Sequence, residues 1–290
     1  MYKIIYPITY IQSSIMKKLL ILLFLFSGLM ANAQKTELGI IAGVSLYSGD
    51  ISPKEFGLYF KGLNPAIGFF GRVNATDRFS GRLSVSYTKI DEDDNNIGKE
   101  ARGLNFRTNI LEAELMAEIN LFRLGDKKGV QVVPYLMGGV GVFKFNPQGL
   151  LENTWVDLQP LGTEGQGLPT YEAPYSLTQI NVPLGGGLKF IFKERWTLGA
   201  ELTARKLFTD HLDDVSSAVV NYLDILDGNG QIAADLSNKN VKSPEEGDIN
   251  YTRGGEFDDW YYFANITLSF RFGRAGGVKG GRGLGCPDNF

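Results

Sequence analysis

Ile110-Leu111-Glu112-Ala113-Glu114-Leu115-Met116-Ala117-Glu118-Ile119-Asn120-Leu121-Phe122 is the stretch that decides the fold. Side chains of an extended strand point alternately to its two faces, so Leu111, Ala113, Leu115, Ala117, Ile119 and Leu121 share one face. Glu112, Glu114, Met116, Glu118 and Asn120 share the other. The first face is continuously apolar, and the second repeats charge where a packed apolar core has no room for it. Such a strand fits the half-wet wall of a soluble sandwich or the wall of a membrane barrel.

The same period of two recurs on both sides of this stretch, over Thr36 to Tyr47, Pro65 to Ala75, Phe79 to Ile90, Val132 to Phe145, Gln179 to Phe192, Trp196 to Lys206 and Tyr261 to Phe272. Each segment reaches the roughly 9 to 11 residues that a tilted strand needs to cross a bilayer. Leu38, Ile40, Ala42, Val44 and Leu46 oppose Gly39, Gly43 and Ser45 in the first segment. In the third, Leu83, Val85 and Tyr87 oppose Arg82, Ser84, Ser86 and Thr88. In the seventh, Leu198, Ala200, Leu202 and Ala204 oppose Glu201, Thr203 and Arg205. In the last, Ala264, Ile266, Leu268, Phe270 and Phe272 oppose Asn265, Thr267, Ser269 and Arg271.

Connection lengths separate sandwich from barrel. Thr76-Asp77-Arg78, Arg123 to Gly129 and Lys193-Glu194-Arg195 are short. The connections Ser48 to Asn64, Asp91 to Asn109, Asn146 to Thr178 and Leu207 to Trp260 are long, and the two kinds strictly alternate. This predicts an all-β fold, an eight-stranded antiparallel transmembrane β-barrel with short periplasmic turns and long extracellular loops, embedded in outer-membrane lipid. An even strand number returns both termini to the periplasmic side.

Met16-Lys17-Lys18, the apolar run Leu19 to Phe26 and Ala31-Asn32-Ala33 read as a signal peptide over residues 1–33. The expected true start is Met16 and the expected mature start Gln34. The barrel then occupies 34–272, and 273–290 form a Gly-rich basic periplasmic tail. A formal net charge of -3 gives no basic field to recruit nucleic acid.

Eight strands enclose room for side chains and little else. The inward face is expected to carry Arg72, Arg82, Lys189, Arg205 and Arg271 with Glu112, Glu114, Glu118 and Glu201. An unpaired charge there is costly, so these groups are expected to pair across strands and plug the lumen. Gly185-Gly186-Gly187 lies within a strand, not between a strand and a helix, and is read as a device for curvature or close packing.

Cys286 is the sole cysteine and sits on the tail with Arg274, Lys279 and Arg282, so in an oxidising compartment it is either an inert exposed thiol or the donor of a disulfide to another chain. These four residues are the candidate partner-binding set. His211, the sole histidine, has Ser216 and Ser217 nearby, the minimum for a Ser–His hydrolase of the outer rim, but no nucleophile motif surrounds either serine. Asp227-Gly228-Asn229-Gly230-Gln231 resembles a piece of a calcium loop without its terminal bidentate acid. Neither CxxC nor HExxH occurs. A non-enzymatic protein without metal or cofactor is the expectation.

Leu207-Phe208-Thr209-Asp210-His211-Leu212-Asp213-Asp214-Val215-Ser216 followed by Tyr222-Leu223-Asp224 resembles the PorG family of the type IX secretion machinery. So do Leu38-Gly39-Ile40, Tyr47-Ser48-Gly49-Asp50-Ile51 and the run Pro134 to Gly141. His211 departs from the aromatic residue expected at its position. The resemblance implies a non-enzymatic component of protein secretion and, in gliding cells, of motility. It implies periplasmic ring partners of the PorK-type lipoprotein and PorN-type kinds, to which the tail and Cys286 offer a tether. The rival expectation is a structural barrel of the OmpA or OmpX kind with no secretion role.

Overall fold

The computed structural model describes residues 36–272 except 54–56, 58–61, 101, 126–128, 194, 242, 244 and 246–248. The expected signal peptide and the tail with Arg274, Lys279, Arg282 and Cys286 lie outside the described residues.

Eight antiparallel strands form the wall: β1 (Thr36–Ser48), β2 (Asn64–Asn74), β3 (Phe79–Asp93), β4 (Asn105–Asn120), β5 (Val130–Lys144), β8 (Thr178–Phe192), β9 (Trp196–Leu207) and β12 (Trp260–Arg271). Their order is β3-β2-β1-β12-β9-β8-β5-β4, and the pairing of β3 with β4 closes the circle. Closure gives every wall strand two partners, which removes the unpaired backbone edges that hydrocarbon cannot satisfy. This is the eight-stranded antiparallel barrel that the periodicity predicts. No helix of the described residues is long and apolar enough to cross a membrane.

The glycines of β8 show how the wall is fitted together. A Cβ on Gly187 would meet Ala200 O at 2.2 Å, and one on Gly185 would meet Leu202 O at 2.3 Å. Both glycines alternate with outward Leu184 and Leu188, so they face the lumen and leave space there.

Strands β3 and β4 are longer than their patterns suggest. Residues 91–93 and 105–109, expected in a loop, continue the ladder as far as Asp93 opposite Asn105, and the short helix α1 (Asp94–Ile97) follows β3. A hairpin of β6 (Pro147–Leu151) and β7 (Thr154–Asp157) docks on this extension through Arg107 opposite Gln148. Alternation persists there because Phe106 and Thr108 still point inward and are buried, although the outward residues are polar. The last long connection contains β10 (Val219–Asn221), helix α2 (Tyr222–Asn229), helix α3 (Gln231–Ser237) and β11 (Asn250–Thr252), which pairs with β10. Together these elements form a cap over the loop end of the barrel. The cap has its own small core of Val220, Tyr222, Ile225, Ala233 and Ala234.

Outside, the wall presents a belt of exposed apolar side chains from every strand, including Leu38, Phe69, Val85, Leu115, Val140, Leu184, Leu202 and Ile266. Phe69 is 71% exposed and Val140 62% exposed, values that a water-facing sheet would not sustain around a full circle. Leu46 is the exception to the outward set of β1: it is only 1% exposed. It stands opposite Tyr262 at the loop end, above the belt, where both side chains are buried.

Candidate functional site: the lumen network and the cap

Inward positions of seven wall strands build two ionic clusters, one centred on Glu118 and one on Arg205. Arg72 Nη1 donates to Glu37 at 2.9 Å, and its Nε lies 2.8 Å from Glu118. Glu118 also takes Lys189 Nζ at 2.6 Å and lies 3.7 Å from Arg82, whose Nη1 donates to Glu201 at 2.8 Å. Arg205 reaches Glu114 at 2.8 Å and Glu112 at 3.4 Å, while Arg271 closes the turn end on Glu37 at 2.6 Å. Aromatic rings are interleaved with the charges. Arg72 and Arg82 both lie over Phe70, at 4.9 and 4.2 Å, Lys189 over Tyr135 at 4.1 Å, and Arg205 over Phe263 at 4.2 Å.

All nine lumen residues singled out from the sequence enter one or other of these clusters. Glu37 does too, and the sequence reading passed over it. Its signal was present: it is in phase with inward Gly39 and Ser45. With Glu37 the two described clusters together hold five cations (Arg72, Arg82, Lys189, Arg205, Arg271) and five carboxylates (Glu37, Glu112, Glu114, Glu118, Glu201). Tyr135, Asn181 and Tyr261, also unremarked in the sequence, supply the neutral donors. Tyr135 Oη donates to Glu201 at 2.5 Å, and Tyr261 Oη donates to Glu112 at 2.8 Å.

Toward the loop end the ionic layers give way to an apolar plug. Phe106, Ile110, Phe143, Phe145, Leu207, Tyr261 and Phe263 point inward from the wall and pack with Ile51, Leu104, Leu212 and Val215 from the loops. Wall and loops thus share one core, distinct from the small core of the cap.

Above the plug buried carboxylates tie the last long connection to the rim and to the connection before β8. Asp213 Oδ2 accepts from Tyr47 Oη at 2.7 Å and from the Ile51 N–H, and Oδ1 accepts from the Val215 N–H. Asp259 Oδ1 lies 2.8 Å from the same Tyr47 oxygen, and Oδ2 accepts from the Leu212 N–H at 2.9 Å. Asp214 binds the hydroxyls of Thr163 and Tyr175, with Arg253 Nη1 3.6 Å away. Glu164 takes both the hydroxyl and the N–H of Ser216. Burial, reinforced by the neighbouring aspartates Asp50 and Asp213, pushes the Asp210 carboxyl up to about 9.

His211 is stacked on Tyr175, ring centroids 4.5 Å apart, and burial lowers its pKa so that it stays neutral. Ser216 gives its hydroxyl to Glu164, so it is not poised against His211. Asp227 to Gly230 is the end of α2, not a loop, and Gly230, with φ 92°, begins α3. Among the described residues no group of three His, Cys, Asp or Glu is arranged to hold a metal ion. A cleft of about 500 Å³ opens beside the extension of β3 and β4, lined by Asp91, Glu92, Asp93, Asn105 and Trp155.

A family model described as a domain of unknown function, DUF6089, matches residues 16–233. No curated protein matches the chain. Among solved structures, Ail, the attachment invasion locus protein of Yersinia pestis, is 9% identical with a TM-score of 0.40, covering 82% of this chain and 99% of that one. OprG from Pseudomonas aeruginosa is 13% identical with a TM-score of 0.39, covering 82% and 97%. Outer Membrane Protein W of E. coli is 15% identical with a TM-score of 0.37, covering 82% and 99%.

Proposed function

The chain belongs to the DUF6089 family, and from that footing we propose that it is a non-enzymatic outer-membrane anchor of the type IX protein secretion machinery, and of gliding motility where cells glide. One observation carries the membrane part of this reading: a closed barrel wears an unbroken apolar belt outside and a mutually neutralised ionic network inside. Lipid rewards the belt, and the paired lumen removes the cost of holding ions within it.

The secretion part rests on the PorG-like residues and on what they do here. Asp213 fastens the connection after β9 to Tyr47 of β1, while Asp214 and Ser216 fasten it to Thr163, Tyr175 and Glu164 of the connection before β8. They line no reaction cleft. A sealed, capped cylinder suits an anchor, with the cap outside the cell and residues 273–290 on the periplasmic side. There the tail would hold a PorK-type lipoprotein and a PorN-type protein of the periplasmic ring, through Arg274, Lys279 and Arg282 and a Cys286 disulfide.

Deleting 273–290 from the full chain and recovering the barrel from native membranes tests the tether. Loss of ring proteins from the recovered complex is expected, and undiminished recovery rejects it. Deleting the whole gene separates the anchor from a purely structural OmpA-like or OmpX-like barrel. The anchor reading requires failure to secrete proteins bearing the C-terminal signal, whereas a structural barrel leaves secretion intact.

A further inference from the structure

The Tyr47 hydroxyl sits between two carboxylates, 2.7 Å from Asp213 Oδ2 and 2.8 Å from Asp259 Oδ1. A phenol carries one hydrogen and can donate it once. If both carboxylates were ionised, one of these two close oxygen pairs would have no proton between its atoms and would repel. The three groups come from three places in the chain: the loop end of β1, the connection after β9, and the residue before β12.

We infer that Asp259 holds a proton and donates it to Tyr47, which donates in turn to ionised Asp213, so that one proton latches the cap to the barrel rim. The assignment between the two carboxyls follows from their other partners. Asp213 accepts two backbone N–H groups besides Tyr47, from Ile51 and Val215, and so is the better-solvated anion. Asp259 accepts one, from Leu212.

The surroundings favour keeping the proton. Asp50 from the connection after β1 and Asp210 from the connection after β9 add negative charge, while Asp258 beside Asp259 is paired with Lys206 and adds little. The opposing cations are engaged elsewhere: Arg102 with Asp94 and with the carbonyls of Asp50 and Arg253, and Arg253 with Thr163, Glu164 and Asp214. Burial and this like charge raise both members of the pair, Asp213 and Asp259, above the ordinary aspartate value, so the pair keeps a proton, and the backbone donors on Asp213 place it on Asp259. An acid whose pKa is higher in the closed cap than in the open one binds a proton on closing. The cap is therefore most firmly shut in mild acid and loosens as pH rises toward the closed-state value. Each proton taken up on closing changes the opening equilibrium by roughly tenfold per pH unit in that window. Asp210, raised by the same causes, adds its own share.

Hydrogen exchange of the full chain in detergent, corrected for the intrinsic pH dependence of amide exchange, reads this at the Ile51, Leu212 and Val215 amides. Protection should fall as pH rises through neutrality. Asp259→Asn keeps a donor toward Tyr47 and an acceptor for Leu212, so it should close the cap normally while reducing the slope by one proton. An unchanged slope in Asp259→Asn, or protection independent of pH in the parent, overturns the latch. Infrared spectra give a second reading that does not depend on the opening motion. A protonated-carboxyl stretch at neutral pH that loses the contribution of one carboxyl in Asp259→Asn, with the remainder from groups such as Asp210, supports the latch, and identical spectra refute it.

Discussion

Glu118 is the carboxylate on which the lumen network turns, and Glu118→Gln measures what the network contributes. Glu118 is fully buried and contacts Arg72 at 2.8 Å, Lys189 at 2.6 Å and Arg82 at 3.7 Å. In its absence Arg72 keeps Glu37 and Arg82 keeps Glu201. Lys189 retains only the Asn120 side-chain oxygen at 3.0 Å and the Tyr135 ring. The substitution thus strands one buried ammonium and leaves a surplus of positive charge at the turn end. Breaking a buried ion pair from one side costs about 3–5 kcal/mol, because the remaining charge stays desolvated without a partner. Urea unfolding of the barrel in lipid vesicles, followed by the fluorescence of Trp155, Trp196 and Trp260, should show a loss of that size. Removing the stranded charge as well, in Glu118→Gln with Lys189→Met, should restore more than half of it. A single-substitution loss below about 1 kcal/mol, the level of an exposed surface pair, would mean that the lumen is wet and the argument wrong.

Two further substitutions probe the wall. Val140→Arg places a cation on the apolar belt, where Val140 is 62% exposed, and should cost about 2–4 kcal/mol in vesicles if that face meets lipid near the bilayer midplane. The control Ile249→Arg, on an exposed site of the cap, should be neutral, and equal costs at the two sites would contradict a lipid-facing belt. Gly187→Val puts side-chain atoms where a Cβ alone lies 2.2 Å from Ala200 O, so the β8–β9 seam must spread. The heat-modifiable gel mobility of a folded barrel should be lost or shifted to markedly lower temperature, and wild-type behaviour would show that the seam is not tightly closed.

The wall was legible because its rule is local. Inside–outside alternation needs only neighbouring residues, and Leu111 to Asn120 displays it almost without interruption. Even the omission of Glu37 was a failure to extend a correct phase by one step. The cap was not legible because its rule is long-range. Asp213 finds Tyr47 across 166 positions, and Asp259 finds it across 212. Nothing in Asp-Asp-Val-Ser as a string says that its first acid will accept from the rim and its second from Thr163 and Tyr175. The same limit explains Leu46: its alternation places it outward, correctly, but only the folded loops decide that this outward site is covered. Helices α2 and α3 escaped notice for a related reason. They are short, and α2 gets its start from the Asn221 side chain capping Leu223 N–H. They are held against a tertiary core and have no long amphipathic repeat.

The layering of the interior bears on what the molecule can do. Ionic side chains occupy the turn end and the middle, where they can be exchanged for one another but not for water without stranding a partner. Aromatic and aliphatic side chains fill the loop end and pack with Ile51, Leu104, Leu212 and Val215 of the loops. A solute travelling the axis would have to break the charge clusters first and then part a core shared by wall and loops. Each step costs several kcal/mol, and neither is relieved by the other, since they lie at different depths. Transport through the lumen is therefore disfavoured by construction. A chain of this design acts at its ends or along its lipid-facing wall, and this is the physical ground for reading it as an anchor and not as a conduit.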